Sequence, residues 1–275
     1  MDNLKHCITK KTMRMSNLVI LISCFLLSTS CNNSQDKKGG KTDVVKNNPK
    51  NSLTDFAFIK EIPLPEGYKR IENGDDSFAT WLQNVGLKKD NTVYKFDGTP
   101  KNNQEAQFAV LEISVGKKDL QQCADAVMRL RAEYLFAQKR FNEIIFTDNE
   151  HIQYKFATPY DRENFTKYLD KVFGMCGSAS LAKQLKTVNE IKNIKSGDVI
   201  IRGGFPGHAV TVMDVAENNE GKKIYLLSQS YMPAQDIHVL KNPMNESLSP
   251  WYEVNEENII QTPEYTFYKN ELKTW

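Results

Sequence analysis

The sequence is poor in the residues that build metal centres and disulfide scaffolds. Five cysteines and four histidines are spread over 275 residues, and no two cysteines stand at the short spacing that zinc sites use. Blocks of Lys and Arg with interleaved aromatics are absent and the formal charge is only +2, which argues against nucleic acid as a partner. The apolar run from Leu18 to Leu27 is too short to cross a bilayer comfortably, since a spanning helix needs about 20 apolar residues. No internal repeat divides the chain. No metal or cofactor is expected.

What is present at the N-terminus has the order of an export signal. Lys5, Lys10, Lys11 and Arg14 precede the apolar run, and Ser28, Thr29 and Ser30 lead from it to Cys31. The segment resembles bacterial lipoprotein signals, in which a Cys after small residues is cleaved and acylated. That resemblance implies a signal over residues 1–31, a lipidated Cys31, the lipid bilayer as a partner, and a place in the bacterial cell envelope, on the periplasmic or surface side of the outer membrane. Leu27 stands one place early for the pattern, and Leu21-Ile22-Ser23-Cys24 fits it better locally, so Cys24 is the alternative site. Cleavage there would leave Phe25 to Leu27 exposed.

The polar tract over residues 32–54 has almost nothing to bury and reads as a tether, because such composition cannot offset its ordering entropy. From residue 55 to 270 the composition is that of one globular domain with enough length for a sizeable core. Of the cysteines beyond Cys31, Cys123 and Cys176 could pair in an oxidising compartment, but two thiols in a domain this large are not a disulfide framework.

Within the domain, Ile62 to Tyr68 reads as a loop and Ser77 to Val85 as a short helix. Gln107 to Val115 reads as a strand. Asp119 is placed to cap a long helix whose apolar stripe includes Leu120, Cys123, Val127, Leu130 and Tyr134. Asp125, Arg129, Arg131 and Glu133 then fall on a solvated face, and Cys123 reads as a buried, unreactive thiol. Thr158-Pro159 marks the start of another helix that Gly174 stops, and Cys176 falls just before a further short helix. The reading is α+β, with an antiparallel sheet packed against helices.

The stretch from Gly197 to Pro243 concentrates the candidate functional residues. Gly203, Gly204 and Gly207 surround Phe205-Pro206 in a loop whose backbone could approach a ligand closely. His208 opens one strand of a hairpin and Gln229 closes the other. If Ala216 pairs with Gly221, His208 lies opposite Gln229, Val210 opposite Leu227 and Asp214 opposite Lys223; a slip of one residue puts Ser230 opposite His208 instead. Gln235, Asp236 and His238 follow as further binding candidates. His208, Asp236 and His238 could alternatively hold a metal, if the segment is extended.

A thiol nucleophile needs a nearby base, and the base needs a polar group that orients it. Cys176, His208 and Gln229 offer those types in that order, and the helix dipole would favour the Cys176 thiolate. The order resembles NlpC-type papain-like cysteine amidases, although Met175 stands where those proteins usually carry Asp and Gln229 where His is common. The resemblance implies a papain-like fold, with backbone N–H groups near Gly177 as oxyanion donors. The chain is also similar, over nearly all of its globular part, to a domain-of-unknown-function family of bacterial envelope lipoproteins, through DLQQCADAVMRLRAEYL from Asp119, GGFPGHA from Gly203 and QSYMPAQDIHVLKN from Gln229. A small aliphatic residue in relatives at the position of Cys176, which this second resemblance implies, would leave their shared function independent of that thiol. Two functions follow as expectations: a thiol-dependent amidase or peptidase acting on cell-wall or envelope peptides, or an inactive domain of the same fold that binds a peptide or glycan beside Gly203 to His208. A purely structural scaffold is a third.

Overall fold

From His208 to Ala216 every residue is buried, so this strand must be covered on two faces, and its near-continuous apolar run is what such a position selects. A computed structural model describes residues 54–275; the expected signal, Cys31, Cys24 and nearly all of the tether lie outside the described residues. No helix among the described residues is long and apolar enough to cross a membrane.

In chain order the elements are β1 (Tyr68–Arg70), α1 (Phe78–Gln83), β2 (Gln107–Val110), α2 (Cys123–Ala137), β3 (Ile145–Thr147), β4 (Gln153–Lys155), α3 (Arg162–Met175), α4 (Ser178–Gln184), β5 (Lys186–Thr187), β6 (Val199–Arg202), β7 (His208–Asn218), β8 (Lys223–Gln229), β9 (His238–Leu240), β10 (Tyr252–Glu253), β11 (Ile259–Gln261), β12 (Thr266–Tyr268) and β13 (Leu272–Thr274). The main sheet runs β2-β9-β8-β7-β6-β13-β5, with β1 beside β7 and β10 beside β8. Its pairs are antiparallel. The last strand lies past residue 270, so the sheet extends beyond the end expected for the domain.

Helices cover one face of the sheet and a hairpin helps to cover the other. On the helical face, Val127, Ala132 and Leu135 of α2 share a core with Val199, Ile201 and Ala209, while Leu130 and Ala126 join Met213, Ala216, Leu226 and Val239. On the opposite face Ile200, Val210, Val212, Val215 and Leu227 pack with Ile260 and Phe267 of the β11–β12 hairpin. Each fully buried Leu or Ile here contributes about 1.5–3 kcal/mol relative to exposure.

Several local expectations are corrected. Asp119 does not cap α2, which starts at Cys123; its Oδ1 instead accepts from Ala234 N (2.7 Å) and Gln122 Nε2 (3.1 Å), tying the approach to α2 to the loop after β8. The next helix begins at Arg162 rather than at Thr158-Pro159, because Asp161 Oδ1 accepts from Asn164 N at 2.8 Å and satisfies the first-turn donor. It runs through Gly174 to Met175. The charged residues of α2 are not a solvated face: Asp125 and Glu133 are buried, and Glu133 accepts from both Arg129 and Arg162. Other elements surround this central helix on more than one side.

The hairpin register also differs from expectation. Glu217 pairs with Lys223, Ala216 with Ile224 and Val215 with Tyr225, then a bulge between Val212 and Asp214 shifts the ladder so that Val212 faces Leu227 and Thr211 faces Ser228. Gly221 cannot be a pairing residue, because it sits in the turn at φ +77°, where glycine is favoured. His208 is paired with Arg202 and Gln229 with His238.

Candidate functional site

A pocket of about 320 Å³ opens where α2, the loop before α4, the glycine loop and the end of β8 converge. Cys123, Cys176, Gly204, Gly207, His208 and Tyr231 are among its lining residues. The glycine loop is shaped by close approach: a Cβ at Gly207 would overlap the Ser178 hydroxyl and the Gly204 carbonyl, and one at Gly203 would press on Ala179 and Ala182 of α4 at 3.0–3.2 Å. Gly204 takes φ +117°. The loop thus seats the start of β7 against α4 and leaves Phe205 fully exposed beside the opening.

His208 is held on every side. Its ring lies 4.8 Å from that of Tyr231, 4.9 Å from Tyr265 and 5.7 Å from Phe267, and its Nε2 is 2.8 Å from Gln229 Oε1. The side chains of His208 and Gln229 therefore meet although their backbones do not pair. Burial pulls the His208 pKa down to about 4, against the upward pull of the Gln229 hydrogen bond and of Glu264. The imidazole is neutral at physiological pH.

The two thiols have different surroundings. Cys176 follows α3 as its C-cap residue and is buried. Burial first, then Asp148 and Asp125, push its thiol up to about 12, and it adds to the raised pKa values of Tyr154 and Tyr168. Tyr154 and Tyr168 belong to the aromatic core and lie outside the pocket lining, whereas Cys176 and Asp125 line the pocket. Cys123 is the first residue of α2 and only half-buried. Burial also raises its pKa and Asp125 adds to the rise, but the backbone N–H groups of Ala124, Ala209 and Cys123 itself act to lower it. Ala209 adjoins His208, and Cys123 acts in turn on Tyr231, whose ring touches His208.

The sequence signal for Cys123 as a pocket-lining residue is its position at the start of the long central helix, where the first N–H groups have no intrahelical partner; reading it as one more member of an apolar stripe conceals this. Of the other candidates, Gly204 and Gly207 line the pocket with His208, while Gln235, Asp236 and His238 are buried and absent from its lining. Asp236 pairs with Lys88 at 2.8 Å, and His238 directs Nδ1 to the Asp236 carbonyl at 2.9 Å. Among the described residues no group of three or more His, Cys, Asp or Glu is arranged to hold a metal.

A family model described as a domain of unknown function (4846) matches residues 59–158 and 148–274. The chain belongs to that family. The matched residues take in α2, the glycine loop, both strands of the β7–β8 hairpin and the β11–β12 hairpin, so the pocket lies within the family domain. No curated protein and no solved structure matches the chain.

Proposed function

We propose that this protein is an exported, lipid-anchored cysteine amidase or peptidase of papain-like architecture, acting on a peptide amide of the cell wall or envelope, with Cys123 as nucleophile and His208 as base. The observation that carries the reading is the shared pocket. A thiol at the N-terminus of the central helix and a histidine opening the adjacent strand line one cleft, and the histidine is oriented by an amide through its Nε2. Cys176 also lines that cleft, but it is the C-cap residue of α3, the more buried of the two thiols, and burial pushes its pKa up to about 12.

In this mechanism thiol and imidazole are neutral at rest. Cys123 Sγ attacks the substrate carbonyl carbon as its proton passes to Nδ1 of His208, the C–N bond breaks, and the amine leaves with that proton. Water then cleaves the thioester with His208 again as base, releasing the acid and restoring the thiol. The unpaired N–H groups at the start of α2 favour the thiolate and the developing oxyanion. Lipidation of Cys31, with Cys24 as the alternative, would hold the domain at the bilayer through the polar tract over residues 32–54. The neutral resting state of these groups also supports a second reading, an inactive groove that binds peptide or glycan beside Gly203 to His208.

Alkylation separates the two. The full chain is treated with iodoacetamide at neutral pH and the labelled cysteine is identified by mass spectrometry, in wild type and in Cys123→Ala, Cys176→Ala and His208→Ala. The amidase reading expects Cys123 to label first, a fall of roughly a hundredfold on losing its base, and release of new amino groups from cell-wall peptides that Cys123→Ala abolishes and Cys176→Ala spares. Labelling of Cys123 that is indifferent to His208, with no amine released, would leave the binding groove.

A further inference from the structure

The carboxamide of Gln229 can face His208 with its oxygen or, after a half-turn, with its nitrogen, and the two orientations impose opposite tautomers on the imidazole. Something must choose between them. We infer that Glu264, held by Lys101 and Asn103, is a positioning residue that fixes the orientation of the Gln229 amide and thereby keeps the His208 proton on Nε2. The tautomer claim stands on geometry alone, and its consequence for turnover rests on the reading of His208 as a base.

The chain of donors and acceptors runs one way. Gln229 Nε2 is 2.7 Å from Glu264 Oε2, and a carboxylate only accepts, so the amide nitrogen belongs on that side. Lys101 Nζ is 2.5 Å from the same oxygen and Asn103 Nδ2 is 3.1 Å from Glu264 Oε1, which holds the carboxylate in place. His238 acts in the same direction more weakly: its Nδ1 is 2.9 Å from the Asp236 carbonyl and must donate, leaving Nε2 as an acceptor 3.5 Å from the Gln229 amide nitrogen. With both neighbours asking for amide hydrogens, Gln229 Oε1 is left facing His208 Nε2 at 2.8 Å, and that nitrogen must donate. His208 Nδ1 then carries the lone pair. It has no hydrogen-bond partner among the described residues, and the ring lines the pocket.

The origin of these residues supports a positioning role. Glu264 sits between β11 and β12 next to Tyr265, so one hairpin tip supplies both a ring that packs on His208 and the carboxylate that orients its partner. Lys101 and Glu264 are 163 positions apart and their side chains are only 9% and 15% exposed. A nearly buried ion pair contributes little net stability against an apolar replacement, whereas it discriminates strongly between two orientations of a neighbouring amide.

The test is the 15N spectrum of the full chain at neutral pH, with the His208 signals identified by their loss in His208→Gln. The expected wild-type ring has a protonated Nε2 and a bare Nδ1. In Glu264→Ala the Lys101 ammonium is left facing Gln229 and draws the amide oxygen, so the proton is expected to move to Nδ1 and iodoacetamide labelling of Cys123 to fall by roughly a hundredfold. Glu264→Gln retains an oxygen that can occupy the Oε2 position and is expected to restore both. Glu264→Met, closer in volume, gives the same expectation as Glu264→Ala should the smaller variant not fold. A bare Nε2 in wild type, or a protonated Nε2 that survives in the folded Ala or Met variant, overturns the inference. A tautomer that switches without any change in Cys123 labelling upholds it and counts instead against the amidase reading.

Discussion

Asp125 gives the sharpest quantitative handle on this fold. It is the third residue of α2, and its Oδ2 accepts from Gln122 N at 3.0 Å while its Oδ1 is buried with no partner. Burial raises its pKa from the ordinary 3.8 to about 8, against the lowering effect of its backbone hydrogen bonds. The folded state therefore binds more protons than the unfolded chain between those two values. Stability from this group is fully present below pH 3.8 and is lost as pH rises toward 8. At pH 7 the gap is about three pH units, and at roughly 1.4 kcal/mol each the folded state carries a protonation cost of about 4 kcal/mol. Asp125→Asn keeps an oxygen for Gln122 N and removes that cost, while its buried NH₂ replaces one unpaired polar atom by another. The expected gain is about 2–4 kcal/mol at pH 7, shrinking toward zero near pH 4 and levelling off above pH 8. Urea unfolding of both proteins at pH 4, 5, 7 and 9 reads it directly. A difference that stays flat with pH would refute the assignment of a neutral, buried acid.

The opposite sign is expected from the two buried histidines. Burial lowers His208 from 6.5 to about 4 and His238 from 6.5 to about 3, so the stability of their neutral forms is lost as pH falls below 6.5; in the Asp125→Asn background, which removes one compensating acid and leaves Asp198 and Asp214, both raised by burial, unfolding free energy should drop by at most about 4 kcal/mol between pH 7 and pH 5. Gly207→Ala forces a Cβ into the Ser178 hydroxyl and the Gly204 carbonyl and should cost about 1–3 kcal/mol of thermal stability while slowing alkylation of Cys123; an unchanged melting curve would show that the loop yields freely. Trp251→Phe leaves the Pro63 carbonyl without the 2.7 Å bond from Nε1 at a buried position, for a loss of about 1–3 kcal/mol by chemical denaturation.

Much of the scaffold was legible because its signals are local. Ser77 caps α1 through Thr80 N, Gly197 adopts the turn conformation before β6, and the apolar runs of β6 to β8 are strands. The site was half legible. His208 and Gln229 do meet, but for a different reason from the proposed pairing, because no sequence pattern announces a bulge. Glu264 and Lys101 were missed, since each lies in a polar loop and only the folded sheet brings them together. The place of Cys123 in the pocket lining was not legible, because a thiol on an apolar stripe looks buried and the periodicity says nothing of how the end of a helix opens onto a neighbouring strand.

The bulge between Val212 and Asp214 has a consequence for the tolerance of this chain to length changes. Val210 and Val212 face the hairpin side of the sheet, and so does Val215, while Met213 and Ala216 face the helices; one extra residue has changed the phase of the strand. Removing one residue at the bulge would regularise the ladder and leave both halves of β7 on their present faces, so its cost is confined to the contacts of the residue lost, the core position of Met213 or the ion pair of Asp214 to Arg70. A single-codon deletion of Met213 should therefore be better tolerated than a deletion of Val210 or Val212, which turns part of the strand over, and the bulge marks the one place where this strand can lose a residue without exchanging its two faces.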